Sequence, residues 1–266
     1  MPQRTLQVAL LQMDVALGEP ERNFARLKTM LEQAVQGELK PDVVVFPEMW
    51  NTGYALDRIQ QLADPDGEMT RAFVSAFCRE HGIHAVAGSV AEKRGAEVYN
   101  TVYAFDREGR LASTYSKVHL FRLMDEDRHL TAGSRLGEWS VDGVPAATII
   151  CYDIRFPELA RKLALNGAQL LFVPAEWPHP RLHHWRTLLT ARAIENQMYV
   201  IACNRVGRSG ETSFFGHSMI INPWGEIVTE ADENEQIVTA EIDLELVAKV
   251  RSTIPVFEDR RPDVYG

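Results

Sequence analysis

Short apolar runs alternate with longer amphipathic segments along most of the chain. The short runs have the length and Val/Ile content of buried strands, whereas the longer segments repeat apolar residues at helical spacing, as Phe24, Leu27 and Leu31 do. The pattern predicts helices over 21–35, 68–81, 157–166 and 181–196, and strands over 5–12, 42–47, 83–90, 98–105, 111–116, 146–151, 169–174, 198–204, 216–221, 226–230 and 236–242.

The order of these elements predicts an α/β fold with mixed sheets. Strands separated by helices favour parallel pairing, whereas turn-forming residues at Arg107–Gly109 and Pro223–Glu226 indicate antiparallel hairpins. The chain contains neither an internal repeat nor a Ser/Gly-rich linker. We therefore expect a single domain over 1–266.

The composition of the chain argues against some classes of binding partner. The 266 residues carry 28 Lys and Arg against 37 Asp and Glu, and this net charge of −9 opposes binding to nucleic acid or to anionic lipid. Cys78, Cys151 and Cys203 lack metal-ligand spacing and are too few for a disulfide framework, which favours a reducing compartment. With neither a signal peptide nor an apolar run of membrane-spanning length, the expected location is the cytoplasm.

The segment Ala146–Leu159 carries the first candidate for chemistry. An apolar run leads into Cys151, and Pro157 suits the first turn of a helix that follows. Such an elbow brings a thiol close to unpaired backbone N–H groups, which favour a thiolate and can hold an oxyanion. Local sequence leaves two interpretations open, a catalytic nucleophile and a small buried core residue.

A glutamate and a lysine follow two other apolar runs. Glu48 comes directly after the strand-like run Val43–Phe46, and Lys117 follows the run that begins at Leu111. Considered singly, Glu48 resembles a loop carboxylate and Lys117 a solvated surface lysine. In open α/β sheets, however, the ligand crevice lies beyond the carboxyl ends of the strands, where Cys151 is also expected.

Together these residues resemble the nitrilase superfamily of carbon–nitrogen hydrolases, and the resemblance runs from Val8–Gln12 to Ile242–Leu244. It rests on three motifs in the family's order, Phe46–Glu48, Lys117–Phe121 and Cys151–Glu158. The resemblance implies a four-layer α-β-β-α sandwich that pairs through its outer helices into a homodimer or a larger homo-oligomer.

The resemblance also implies the roles of the residues. Glu48 would be the general base, Lys117 an oxyanion stabiliser and Cys151 the nucleophile that forms a thioester, with the backbone N–H of Tyr152 as second oxyanion donor. A further family glutamate maps to Glu126, although its neighbours in the run Asp125–Asp127 compete for that position. No cofactor or metal is expected.

Within the superfamily the ω-amidase branch is most similar. This likeness rests on four segments, Asn51–Tyr54, Phe121–Glu126, Ala175–Pro178 and Ala191–Gln197. It implies a small-molecule substrate, the ω-amide of a dicarboxylate such as 2-oxoglutaramate. Arg155 would then clamp the free carboxylate, unless it forms a structural ion pair with Asp153 or Glu158, and Tyr54 and Trp177 would wall the pocket.

Other functions fit parts of the same sequence. N-carbamoyl amino acids and nitriles suit the same three residues, and a non-catalytic binding protein would form no covalent intermediate. His179, His183 and His184 could suggest a metal hydrolase, but the segment lacks an H-E-x-x-H motif, so a solvated helix start is the better interpretation. Gly207 and Gly210 could suggest nucleotide binding, but without a phosphate-binding motif they indicate a flexible surface loop.

Overall fold

The computed structural model describes residues 5–265. Within that range the helices are α1 (Pro20–Gln36), α2 (Ile59–Leu62), α3 (Glu68–His81), α4 (Glu126–His129), α5 (Pro157–Leu165), α6 (Leu182–Asn196), α7 (Glu245–Thr253) and α8 (Pro262–Tyr265). Short 3₁₀ helices cover Leu56–Arg58, Arg122–Met124 and Cys151–Arg155. Across residues 5–265, no helix combines the length and the apolar character that crossing a bilayer requires.

The strands are the eleven predicted ones, with shifted ends, together with four that were not predicted, at 64–65, 138–141, 206–209 and 212–215. They are β1 (Thr5–Gln12), β2 (Val43–Val45), β3 (Asp64–Pro65), β4 (His84–Arg94), β5 (Glu97–Phe105), β6 (Leu111–Ser116), β7 (Glu138–Val141), β8 (Val144–Thr148), β9 (Leu170–Ala175), β10 (Tyr199–Asn204), β11 (Val206–Ser209), β12 (Thr212–Phe215), β13 (Met219–Ile221), β14 (Ile227–Glu230) and β15 (Gln236–Asp243).

Two mixed sheets form the centre of the molecule. The first has the order β15-β1-β2-β4-β5-β6, with β3 added beside β4, and the second has the order β14-β13-β10-β9-β8-β7. The pairs β1–β2, β2–β4, β8–β9 and β9–β10 are parallel, whereas β5–β6 and β13–β14 are antiparallel at the predicted hairpins. The prediction of mixed sheets is therefore confirmed.

Alternating side chains of β1 divide the apolar core into layers. Leu6, Val8 and Leu10 pack in one cluster with residues of β8, β9 and β10, whereas Ala9 and Leu11 pack in a second cluster with α1 and α3. This alternation is the two-residue period of a strand. Helices α5 and α6 supply the outer apolar side chains of the first cluster. The layers are thus helix, sheet, sheet and helix, which confirms the α-β-β-α sandwich.

Two local predictions need correction. The strand predicted over 146–151 ends at Thr148, because the Ile150 N–H is taken by the Asp153 carboxylate at 2.9 Å instead of a neighbouring strand. The predicted flexible loop at Gly207 and Gly210 is part of the antiparallel hairpin of β11 and β12.

Candidate active site

Glu48 lies in a turn immediately beyond the carboxyl end of β2. The Glu48 N–H donates to the carbonyl of Ala175 at the end of β9, at 3.3 Å, so the turn is anchored to the opposite sheet. Gly88 on β4 allows this approach, since a Cβ on that glycine would lie 2.1 Å from the Pro47 carbonyl oxygen. The sequence thus folds the Glu48 side chain into the space between the two sheets.

Cys151 occupies the predicted elbow between β8 and α5. Its backbone has a φ of 44°, a left-handed conformation that is uncommon for residues other than glycine. Asp153 fixes this turn because its carboxylate accepts hydrogen bonds from the Ile150 N–H and the Tyr115 hydroxyl. The Cys151 side chain is only slightly exposed and faces a pocket.

Lys117 joins the two carboxylates of the site. Its Nζ donates to Glu48 Oε1 at 2.8 Å and to Glu126 Oε1 at 2.7 Å, and all three side chains are fully buried. The interpretation of Lys117 as a solvated surface lysine is therefore wrong. A buried ammonium between two buried carboxylates is stable only as a group, because each charge compensates for the lost hydration of the others.

Among the three acidic residues considered for the fourth position, Glu126 is the one that reaches Lys117. Its second oxygen, Oε2, accepts the Phe121 N–H at 2.9 Å. Asp125 and Asp127 are exposed. The short α4 helix, which begins at Glu126, turns one carboxylate inward and leaves its neighbours in solvent.

Tyr54 and Asn100 complete the surroundings of Glu48. The Tyr54 hydroxyl lies 2.6 Å from Glu48 Oε1 and 2.5 Å from Glu126 Oε1, and Asn100 Nδ2 donates to Glu48 Oε1 at 2.8 Å. Tyr54 was predicted only as a pocket wall, and Asn100 was not predicted at all. One hydroxyl proton serves one acceptor, so simultaneous hydrogen bonds to both carboxylates require a proton on one of them.

The electrostatics of the site favour a neutral thiol beside an ionised Glu48. Burial and the Glu48 charge raise the pKa of Cys151 well above its ordinary value, against the opposing charge of Lys117. Burial opposes ionisation of Glu48, but the charge of Lys117 and hydrogen bonds from Lys117, Tyr54 and Cys151 lower its pKa overall. The elbow therefore does not hold a thiolate at rest, and the base must take the proton as the sulfur reacts.

The pKa of Glu126 shifts in the opposite direction to that of Glu48. Burial raises its pKa, and the nearby Glu48 charge adds to the rise against the opposing charge of Lys117. A proton on Glu126 satisfies the requirement set by the Tyr54 hydroxyl. The two glutamates beside Lys117 are thus in different environments, and Glu48 is the one suited to act as a base.

A narrow, partly open pocket adjoins these residues. Cys151 and Glu126 line it, and the other lining residues are Tyr54, Phe121, Met124, Tyr152, Arg155, Glu176, Trp177, Pro178 and Arg181. All of the predicted substrate-binding residues therefore border the same space as the predicted nucleophile.

Arg155 makes no ion pair with any residue in the described range 5–265. Its guanidinium lies over the Trp177 ring at 4.7 Å and beside His184 Nδ1 at 3.3 Å. The alternative of an ion pair with Asp153 or Glu158 is wrong, since the Asp153 carboxylate is taken by His119 and Tyr115.

A second arginine, which was not predicted, borders the pocket. Burial lowers the pKa of Arg155, and the positive charge of Arg181 lowers it further. Two guanidinium groups therefore share one space.

The structure does not support the alternative sites, a second reactive cysteine or a histidine metal site. Cys203 is buried, and Cys78 is buried with a pKa raised to about 12 by desolvation and by Asp106, so both are core residues as predicted. His183 and His184 are exposed at the start of α6. Within residues 5–265, His, Cys, Asp and Glu side chains form no group of three or more that could hold a metal ion.

Comparisons with known proteins agree with this geometry. The family model for carbon-nitrogen hydrolases matches residues 7–252. The chain is 48% identical over 258 residues to the 2-oxoglutaramate amidase of Bacillus subtilis (strain 168), covering 97% of this chain and 98% of that protein. It is 35% identical to the omega-amidase of Danio rerio, covering 98% of this chain and 96% of that protein.

A solved structure has the same fold. The crystal structure of a CN-hydrolase superfamily protein from Xanthomonas campestris, with an arsenic adduct in its active site, superposes with a TM-score of 0.90 at 29% identity. The match covers 97% of this chain and 98% of that chain. The two chains therefore share their architecture over nearly their whole length.

Proposed function

Because the chain belongs to the carbon–nitrogen hydrolase family, we propose that it hydrolyses the ω-amide of a small dicarboxylate such as 2-oxoglutaramate, giving the acid and ammonia. The observation that carries the proposal is the placement of Lys117 between two buried carboxylates, beneath a pocket bordered by Cys151 and by two arginines. These groups supply a nucleophile, a base and positive charge around one small substrate.

The first half-reaction forms a thioester. The Cys151 sulfur attacks the amide carbon as Glu48 takes the thiol proton, and the carbonyl electron pair moves to oxygen. The Lys117 ammonium and the Tyr152 N–H stabilise that oxyanion. When the intermediate collapses, the C–N bond breaks and Glu48 returns its proton to the nitrogen, which leaves as ammonia.

The second half-reaction releases the acid. Glu48, ionised again, takes a proton from a water molecule that attacks the thioester carbon. The C–S bond breaks and the sulfur regains the proton from Glu48, which restores the resting site. Glu126 remains hydrogen-bonded to Lys117 throughout and positions its ammonium.

Substrate preference is assigned to the arginines. An ω-amide of a dicarboxylate carries a free carboxylate at its far end, and Arg155 and Arg181 offer positive charge for it in the pocket. Tyr54 and Trp177 border the same space. An N-carbamoyl amino acid also carries a carboxylate, so the arginines alone do not separate these two substrate classes.

An ammonia-release panel tests the proposal. The panel contains 2-oxoglutaramate, succinamate, short nitriles and N-carbamoyl amino acids, with the Cys151→Ser variant as the blank. We expect ammonia without carbon dioxide, and the fastest release from the ω-amides. Equimolar carbon dioxide and ammonia would instead assign an N-carbamoyl amidohydrolase, and acid formed from nitriles alone would assign a nitrilase.

The carboxylate clamp predicts the effect of Arg155→Ala. Loss of a charge-assisted hydrogen bond costs about 1.5–3 kcal/mol, so the KM for succinamate should rise about tenfold or more with a smaller change in kcat. Steady-state kinetics measure this, and Arg22→Ala on the exposed face of α1 is the matched control. An unchanged KM in Arg155→Ala would assign the carboxylate to other groups.

The remaining sequence-based expectations belong to the same proposal. Residues 1–266 would act as one hydrolase domain in the cytoplasm, where three free cysteines suit a reducing environment. The outer helices would pair two copies into a homodimer or a larger homo-oligomer. Light scattering of the purified protein measures that state.

A further inference from the structure

Glu176 is a second buried carboxyl group beside Glu48. It follows β9, its side chain is 1% exposed, and its backbone N–H donates to Glu48 Oε2 at 2.8 Å. Its Oε1 lies 3.4 Å from Arg205 Nη1. Its Oε2 is buried and has no hydrogen-bond partner among the residues that the structure describes.

An unpartnered buried carboxyl oxygen is costly unless something pairs with it. Glu176 lines the same pocket as Cys151, Arg155 and Arg181. Bound substrate is therefore a candidate partner for Oε2. Neither half-reaction uses this oxygen.

The charges that face Glu176 come from several elements. Arg205 lies on one side, but it also contacts Asp14 at 3.3 Å and donates to the Val15 carbonyl at 2.6 Å. On the other side lie Glu48, Lys117 and Tyr54, together with the Cys151 thiol.

The balance of these groups favours a proton on Glu176. Burial raises the pKa of Glu176 to about 8, the Arg205 charge opposes the rise, and the Glu48 charge adds to it. The Glu176 carboxyl is thus a neutral acid at neutral pH. In that form Oε2–H is a hydrogen-bond donor, whereas the ionised form can only accept.

We propose that Glu176 determines specificity by donating a hydrogen bond from Oε2 to an oxygen of the substrate's carboxylate, in the pocket that Arg155 and Arg181 share. The inference rests on the proposed function and deepens it, because it assigns one more contact to an anionic ω-amide. The neutral acid donates to the anion, and the ionised form repels it. Affinity for anionic amides should therefore fall as the pH rises through about 8.

The Glu176→Gln variant tests the proposed hydrogen bond and leaves the contacts of residue 176 with Glu48 and Arg205 in place. The backbone N–H to Glu48 is unchanged, Gln Oε1 can remain beside Arg205, and Nε2 supplies a donor that never ionises. The two substrates are succinamate and its neutral isostere succinamide. Asp14→Asn is the matched control, because Asp14 also contacts Arg205 but does not line the pocket.

In the wild type, we expect the KM for succinamate to rise about tenfold between about pH 7 and about pH 9, with little change in kcat or in the KM for succinamide. In Glu176→Gln the KM for succinamate should change less than about twofold over that range. Asp14→Asn should keep a pH-dependent KM for succinamate, because Glu176 is still present. If Glu176→Gln keeps the wild-type profile, or if Asp14→Asn loses it as well, the proposed contact is wrong.

A binding measurement keeps this result separate from the proposed activity. Calorimetric titration of succinamate into Cys151→Ala reports affinity without turnover, and Cys151→Ala with Glu176→Gln should lose its pH dependence. A wild type that releases no ammonia from any ω-amide would refute the proposed function, and the titration would still decide the role of Glu176. If the wild type hydrolyses ω-amides but the affinity of Cys151→Ala for succinamate does not change with pH, the Glu176 contact alone is refuted.

Discussion

We expect the Cys151→Ser variant to release ammonia from succinamate at least about 10⁴-fold more slowly than the wild type, as for other enzymes that lose their nucleophile. A serine hydroxyl holds its proton more tightly than a thiol and is a weaker nucleophile. Neither of the other cysteines can substitute, since Cys78 and Cys203 are buried in the core and do not line the pocket.

Mass spectrometry of substrate-treated protein gives the matching observation. The wild type should carry the acyl group on Cys151, and the variant should carry none. Cys203→Ser is the control, since its side chain already donates to the Leu11 carbonyl and a hydroxyl can do the same. An adduct on another residue, or turnover that a chelator abolishes without any adduct, would contradict the assignment.

The positions of the central site residues could be predicted because each follows a strand. Glu48, Lys117 and Cys151 come after β2, β6 and β8, and the apolar runs that mark these strands are local signals. These strands belong to two sheets that pack together, so residues beyond their carboxyl ends meet at one edge of the sandwich. The resemblance then supplied the roles, which composition and periodicity could not provide.

The partners of those residues carry no local signal. Asn100 reaches Glu48 across 52 positions of sequence, and Arg205 reaches Glu176 across 29. Nothing around either residue distinguishes it from an ordinary strand or loop residue. Lys117 shows the same limit, because its burial depends in part on the Glu48 carboxylate, which lies 69 positions away in the sequence.

Local geometry also depended on long-range contacts. β8 was predicted to continue to Cys151, but the Asp153 carboxylate ends its ladder, and His119 and Tyr115 hold that carboxylate in place. Apolar runs predict where a strand lies more reliably than where it stops. The stop depends on a hydrogen bond that only the folded chain provides.

We expect Glu48→Gln to lower kcat/KM for succinamate by about 10²–10⁴, the usual contribution of a general base. Removal of the Glu48 charge favours ionisation of Glu126, which then balances the buried Lys117 ammonium, so the variant should fold. The Glu176 N–H loses its acceptor if the amide nitrogen takes the Oε2 position, which costs about 1–3 kcal/mol in the free energy of unfolding. Thermal unfolding measures that cost separately from the loss of turnover.

The pH profile separates a base from a merely structural carboxylate. The lowered pKa of Glu48 keeps wild-type activity until the pH falls below the ordinary glutamate value of 4.5. Without that base, attack needs a preformed thiolate, and burial keeps the pKa of the Cys151 thiol raised.

The residual rate of Glu48→Gln should therefore climb with pH across the neutral range. Glu158→Gln, exposed on α5, should behave as the wild type. If Glu126→Gln produced the climbing profile and Glu48→Gln did not, the base would be Glu126, and Glu48 would be the group that holds Lys117 in place.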